Sequence, residues 1–139
     1  MATLHVDIVS AEGQIFSGEA SMVFAPAEMG EVGIAPRHAP LLTRLKAGTV
    51  RVKNGEEVHP FFVSGGILEV QPNLVTVLAD SALRAKDADE AQAQAAKQRA
   101  EQMLANAKKD IDLVEAQKEL IEASARLKFV QDLKKTSTH

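Results

Sequence analysis

The chain has 139 residues, a formal net charge of -3 and no cysteine, tryptophan or tyrosine. This length makes one ordinary domain or a small domain with an appendage, and the missing cysteines exclude disulfides, thiolate metal sites and cysteine nucleophiles. The acidic balance and scarce aromatic rings exclude a general nucleic-acid binder, and no stretch approaches the ~20 apolar residues that span a bilayer, so no direct insertion is expected. The opening MATLHVDIVS leads no basic segment into an apolar run, so neither a signal nor a transit peptide is expected.

Glycine and proline divide the chain. All eight glycines and all five prolines precede residue 73, and eleven of the thirteen valines precede residue 80. Short valine-rich runs between turn signals predict strands near 3–9, 14–17, 20–25, 47–53, 57–63, 66–71 and 73–79, forming a small antiparallel β-sandwich or barrel. Between the third and fourth of these lies GEVGIAPRHAPLL, Gly30 to Leu42. Its two prolines fix φ and bias the residues before them away from helix, so it reads as a rigid surface loop with little entropy to lose on docking. Asn54-Gly55 predicts a hairpin with a type I′ turn. Gln71-Pro72-Asn73 closes another hairpin, and Ser64-Gly65-Gly66 predicts backbone at positive φ between strands.

From Asp87 the period changes and alanine replaces valine. Asp87-Ala88-Asp89-Glu90 predicts a helix start with an Asp cap and a carboxylate three residues on, and Asp112-Leu113-Val114-Glu115 predicts a second. Lys108-Lys109-Asp110-Ile111 is then the turn of a helical hairpin, with Lys134 and Lys135 in its closing turn. On the first helix Ala93, Ala96, Ala100, Met103 and Ala107 make a seam, and on the second Leu113, Ala116, Leu120, Ala123, Leu127 and Val130 match it. Each alanine buries about one methyl group, on the order of 0.8 kcal/mol, so the hairpin is expected to be weakly held. A second stripe, Val114, Ile121, Ala125 and Phe129, is expected either to dock on the sandwich or to exchange one partner for another. The fold class is therefore α+β in two domains: a β-sandwich over residues 1–85 and an antiparallel two-helix hairpin over residues 86–139.

Catalytic chemistry is not legible. His5, His38, His59 and His139 are scattered, with no i, i+4 pair and no carboxylate at ligand spacing, so no metal site is expected. Gly30-Glu31-Val32-Gly33 lacks the Lys-Ser/Thr of a phosphate loop and opens no predicted helix. His38 with Glu31 or Ser10 suggests a base and its orienter, but no nucleophile motif accompanies them, so an enzyme is not expected.

SAEGQIFSG (Ser10 to Gly18), GEVGIAPRHAPLL and SGGILEVQPNLVTVLADSALR (Ser64 to Arg84) together resemble the epsilon-subunit family of bacterial F-type ATP synthases. The resemblance spans the whole N-terminal part and implies a β-sandwich followed by two helices. It further implies a non-catalytic rotor subunit at the foot of the gamma shaft, on the ring of c subunits. Such a subunit couples proton-driven c-ring rotation through gamma to ATP synthesis, at the cytoplasmic face of the bacterial inner membrane as a peripheral component. Its C-terminal hairpin is mobile and restrains ATP hydrolysis.

Residue by residue, the resemblance places Glu31 near the polar loops of the c-ring, and Ser10 and His38 near gamma. It places Arg126, Lys128, Phe129, Lys134 and Lys135 beside gamma and the catalytic beta subunits. Members that bind ATP carry Ile/Leu-Asp-x-x-Arg-Ala at the start of the first helix, whereas this chain has Ala88-Asp89-Glu90-Ala91-Gln92-Ala93. Asp89, Gln92 and Arg99 are the candidate ATP contacts, and Gln92, which offers a triphosphate no charge, predicts weak binding or none. Cofactors and metals are not expected. The alternative reading is a freestanding β-sandwich adaptor with a helical gate.

Overall fold

A computed structural model describes residues 2–137, and His139 lies outside them. The chain divides into two compact units, Met1–Lys86 and Asp87–His139.

The first unit is a ribbon of ten strands: β1 (Leu4–Ser10), β2 (Gly13–Ala20), β3 (Met22–Ala27), β4 (Gly30–Ile34), β5 (Leu41–Leu45), β6 (Gly48–Asn54), β7 (Glu57–Val63), β8 (Gly66–Gln71), β9 (Leu74–Ala79) and β10 (Ala82–Arg84). Hydrogen bonding orders them β10-β7-β6-β3-β5-β8-β9-β1-β2, with β4 on β3. Strict alternation drives the folding: in β1 Leu4, Val6, Ile8 and Ser10 point inward, and His5, Asp7 and Val9 point out. The inward side chains of nine strands meet in one core built mostly of valine, leucine, isoleucine and alanine. The ends of the ribbon also meet, for Phe16 on β2 packs against Phe61 on β7 with ring centroids 5.3 Å apart. Arg84 on β10 donates from Nε to the Ile15 carbonyl at 3.2 Å, covering part of the β2 edge.

Three expectations for this unit need correction. Pairing is antiparallel except between β1 and β9, which run parallel with Val6 beside Val75. The pattern within a strand does not specify a neighbour about seventy residues away. The Gly30–Leu42 stretch is also not all loop, since its first five residues are β4, with Ile34 against Val23, and its last two enter β5. Two glycines in five residues hide that alternation. Finally, Asn54 pairs with Glu57, which leaves Gly55 and Glu56 as the loop between β6 and β7. Positive φ is confined to Gly55, at 64°, so the turn has the glycine-first character of type II′ and not type I′.

Gly66 is held at φ 143° where a Cβ would lie 2.1 Å from the Leu78 carbonyl oxygen. Only glycine permits β8 and β9 to start their pairing there.

The second unit pairs α1 (Glu90–Asn106) with α2 (Asp110–Ser137). The N-cap of α1 is Asp89, two residues beyond the expected Asp87, and its carboxylate accepts the Gln92 amide at 3.2 Å. Asp87 instead ends a short 3-10 turn, Ala85–Asp87. α2 starts at Asp110, not at Asp112, so the turn is only Ala107 to Lys109. Ala93, Ala100, Ala116, Ala123 and Val130 are buried along the seam. Met103 and Leu113, expected in it, stay 47% and 39% exposed. They flank the turn, where the seam runs out of facing side chains. The second stripe splits: Phe129 is buried, whereas Ile121 and Val114 are largely exposed. The three-residue turn makes the pair antiparallel, and Lys134 Nζ, near the end of α2, accordingly lies 2.9 Å from Glu90 Oε2 at the start of α1.

Two predictions follow from the sandwich. Gly66→Ala combines a strained φ with overlap against the Leu78 carbonyl, and it is expected to lose about 3 kcal/mol or more of stability, read from urea unfolding followed by circular dichroism. On the outer face of β1 and β2, His5 Nε2 lies 3.0 Å from Asp7 Oδ1 and Nδ1 lies 3.4 Å from Glu19 Oε1. The hydrogen bond to Asp7 above all raises the imidazole's pKa above its ordinary 6.5; burial opposes it, and Glu19 adds a smaller push upward. A raised pKa contributes stability that is fully present below 6.5 and is lost as pH rises through the folded-state value. The stability advantage of the native chain over His5→Gln should therefore shrink between pH 5.5 and pH 8.5, and a gap that widens with pH contradicts the assignment.

Candidate functional site

The sequence singled out two regions, the Gly30–Leu42 stretch and the helical tail, and the structure builds each within its own unit.

In the first, Glu28 and Met29 form the tip between β3 and β4, with Met29 96% exposed. Glu31 follows on β4, half exposed, and Arg51 Nη2 donates to its Oε1 at 2.9 Å. The same guanidinium lies over the Phe24 ring, 4.5 Å from its centroid. Gly33, two residues beyond Glu31 and paired with Phe24, leaves the room that ring needs, since a Cβ there would meet Phe24 Cε1 at 3.3 Å and Met22 Cε at 3.0 Å.

The chain then turns sharply at Ala35 to His38. The His38 amide donates to the Ala35 carbonyl at 3.1 Å, Pro36 takes the second position and Arg37 the third at φ 69°, the arrangement of a type II turn. Arginine in the left-handed region is uncommon, because that position favours glycine. The Arg37 amide is tied to the Pro72 carbonyl at 2.9 Å, so the turn is pinned to the loop between β8 and β9. His38 Nδ1 sits 2.6 Å from the Ala39 carbonyl. A carbonyl only accepts, so Nδ1 carries the proton and Nε2 is the acceptor of the neutral ring.

Ser10 does not join this group. It is buried at the end of β1, and its Oγ accepts the Glu12 amide at 3.2 Å, closing its own turn. Val9 is beside Leu78, whereas His38 lies toward Pro72 at the opposite end of β9. Ser10 and His38 are thus separate points on the sandwich, and Glu31 is paired with Arg51, not with either of them.

In the helical unit Asp89 is occupied as the cap of α1. Gln92 and Arg99 line an open concavity of about 600 Å³ with Ala95, Gln98, Gln102 and Arg126. Arg126 Nε is buried there with no hydrogen-bond partner in the protein. Of the other tail candidates, Lys128 and Lys135 are exposed, Lys134 pairs with Glu90 and Phe129 is 2% exposed. Among the described residues, no group of three histidines or carboxylates is arranged to hold a metal, and no helix is long and apolar enough to cross a membrane.

Sequence reasoning missed Arg51 and the position of Arg126 in the concavity. Arg51 looked like one outward residue of a strand. Its partner is on another strand, and only the register Phe24 to Arg51 and Pro26 to Glu31 brings them together.

Residues 3–85 match the family described as ATP synthase, Delta/Epsilon chain, beta-sandwich domain, and residues 82–131 match its long alpha-helix domain. The ATP synthase epsilon chain of Nitrosococcus oceani is 62% identical over 96% of both chains, and that of Thioalkalivibrio sulfidiphilus is 60% identical over 96% of both. Among solved structures, a chain of the Euglena gracilis mitochondrial ATP synthase (OSCP/F1/c-ring) superposes with a TM-score of 0.79 over all of this chain and 83% of its own, at 15% identity. One from the Tetrahymena thermophila mitochondrial ATP synthase central stalk and c-ring gives 0.63 over 95% and 97%, also at 15% identity. These structures share the fold, and the sequence relatives carry the assignment: the chain belongs to the ATP synthase delta/epsilon family as an epsilon chain, a subunit of the synthase that is not itself a catalyst.

Proposed function

We propose that this chain is the central-stalk subunit that couples c-ring rotation through gamma to ATP synthesis, with residues 1–85 docking on the rotor and residues 86–139 restraining ATP hydrolysis. Its membership of the family along both units carries this reading. The named central-stalk and c-ring assemblies among its structural neighbours support gamma and the c-ring as partners. Glu31 then faces the polar loops of the c-ring, and His38 and the turn that Ser10 closes with Glu12 lie toward gamma. The subunit is peripheral, on the cytoplasmic face of the bacterial inner membrane.

Regulation rests on the tail. Between residues 126 and 135, Arg126, Lys128, Lys134 and Lys135 stand against Asp132 alone. In the hairpin Lys134 is engaged by Glu90 and Phe129 is buried, so the compact form does not present this set as a unit. An extended α2 presents it to gamma and to an acidic surface of the catalytic beta subunits. Four of the buried seam positions, Ala93, Ala100, Ala116 and Ala123, contribute roughly a methyl group each, so the main cost of opening the hairpin falls on Phe129 and Val130, which the extended form must bury against new partners. Rotation in the hydrolysis direction then has to break the new contacts.

Deleting residues 112 to 139 should raise ATP hydrolysis by the assembled synthase while leaving assembly intact. Neutralising Arg126, Lys128, Lys134 and Lys135 together should do part of the same. A truncated complex that hydrolyses ATP no faster than the complete one removes the inhibitory role.

Nucleotide sensing is weak in this reading. Asp89 is committed to the helix cap, and the concavity offers Arg99 and Arg126 but a neutral amide at Gln92. Calorimetric titration of the full chain with ATP should show weak binding or none, and Gln92→Arg should strengthen it by adding a third guanidinium. Micromolar binding by the native chain contradicts the role given to Gln92.

A further inference from the structure

We infer that Arg51 is a positioning residue for Glu31, and that Gly33 and Phe24 exist in this arrangement to hold Arg51 in place. The inference rests on the reading above that Glu31 faces the rotor.

Glu31, Gly33, Phe24 and Arg51 lie on one outward face of three adjacent strands, β4, β3 and β6. The absent side chain at Gly33 lets the Phe24 ring lie across β4. That ring is the platform for the Arg51 guanidinium, 4.5 Å above its centroid, and the guanidinium holds Glu31 Oε1 at 2.9 Å. This accounts for the Glu31-x-Gly33 spacing that the sequence left unexplained, because residues two apart on a strand share a face.

Stability does not account for the arrangement. Both side chains are about half exposed, at 43% and 54%, and exposed ion pairs contribute little to folding. What the pair fixes is direction. Arg51 occupies one carboxylate oxygen and leaves Oε2 as the acceptor for a partner. It also offsets the charge of Glu31, so the patch does not attract a cation over a distance. The partner chemistry that fits is a neutral donor, a side-chain amide or a backbone N–H on a polar loop, recognised by hydrogen bonding and not by charge. Lysine cannot replace Arg51 fully, since it lacks the planar group that lies on Phe24 while donating sideways.

The test is a double-mutant cycle on the affinity of the full chain for its own synthase stripped of this subunit, with Glu31→Gln, Arg51→Gln and both together. Holding one side chain ready is worth about 0.5–1.5 kcal/mol, so Arg51→Gln should weaken binding roughly 2- to 12-fold. It should have no further effect in the Glu31→Gln background. Gly33→Ala, which changes no charge, should weaken binding in the same direction by displacing the Phe24 ring, and Arg51→Lys should restore only part of the loss. Unchanged circular dichroism of each variant separates these effects from unfolding. If Glu31→Gln binds as tightly as the native chain, the placement of Glu31 against the rotor is wrong. If Glu31→Gln weakens binding and Arg51→Gln does not, or if the two losses add, the positioning role is wrong and the placement stands.

Discussion

The constraint behind the first unit is that a ribbon of short strands with small aliphatic faces has to bury them on itself. Valine and alanine supply little area per residue, so no single pair of strands is stable alone, and the gain comes only when the inward faces of nine strands share one core. The contacts between the ribbon's ends, Phe16 on Phe61 and Arg84 on the β2 backbone, are therefore not ornaments of the sandwich. They close it. Once closed, β4 and the turn that follows are carried on a rigid face, and the candidate residues inherit fixed directions.

That rigidity bears on how the surface residues work. Arg37 holds a left-handed conformation because Pro36 and the Pro72 carbonyl leave the turn no alternative, and His38 is fixed in one tautomer by the carbonyl beside it. Glu31 is steered by a stack that begins with a missing side chain at Gly33. None of these groups makes a reaction. Together they make a surface whose donors and acceptors are oriented before a partner arrives, as expected for a subunit that has to hold its place while turning. The helical unit is the opposite case, with its candidate residues distributed among a cap, a concavity, an ion pair and a buried ring.

Much of this was legible in the sequence, and the reasons are local. Gly65 and Gly66 announce positive φ, the valine runs announce strands and the loss of glycine and proline after Pro72 announces helices. Features set by partners distant in the chain were not legible. The parallel pairing of β1 with β9, the strand hidden in Gly30-Glu31-Val32-Gly33-Ile34 and the reach of Arg51 to Glu31 all depend on register, which no single segment contains. The start of α1 slipped by two residues because Asp87 and Asp89 are equally good caps by composition, and Asp110 and Asp112 share the first turn of α2, so either could signal its start. Ser10, named beside His38 as an orienter, is a buried turn acceptor, which only the chain's path after β1 reveals.

The seam between the helices has one further property. Its buried alanines recur at a spacing of seven on both sides, Ala93 and Ala100 on α1 and Ala116 and Ala123 on α2. On α2 the next position at that spacing is Val130, also buried, so the row ends on a larger side chain. Small residues allow close approach but do not encode where along its length each helix stops. The turn of three residues, Ala107 to Lys109, does that instead. A slide by seven residues would carry one helix about 10 Å along the other, which so short a link can follow only by unwinding a helix end. The hairpin is thus hinged like the covers of a book: it can open, but its covers cannot slip past one another.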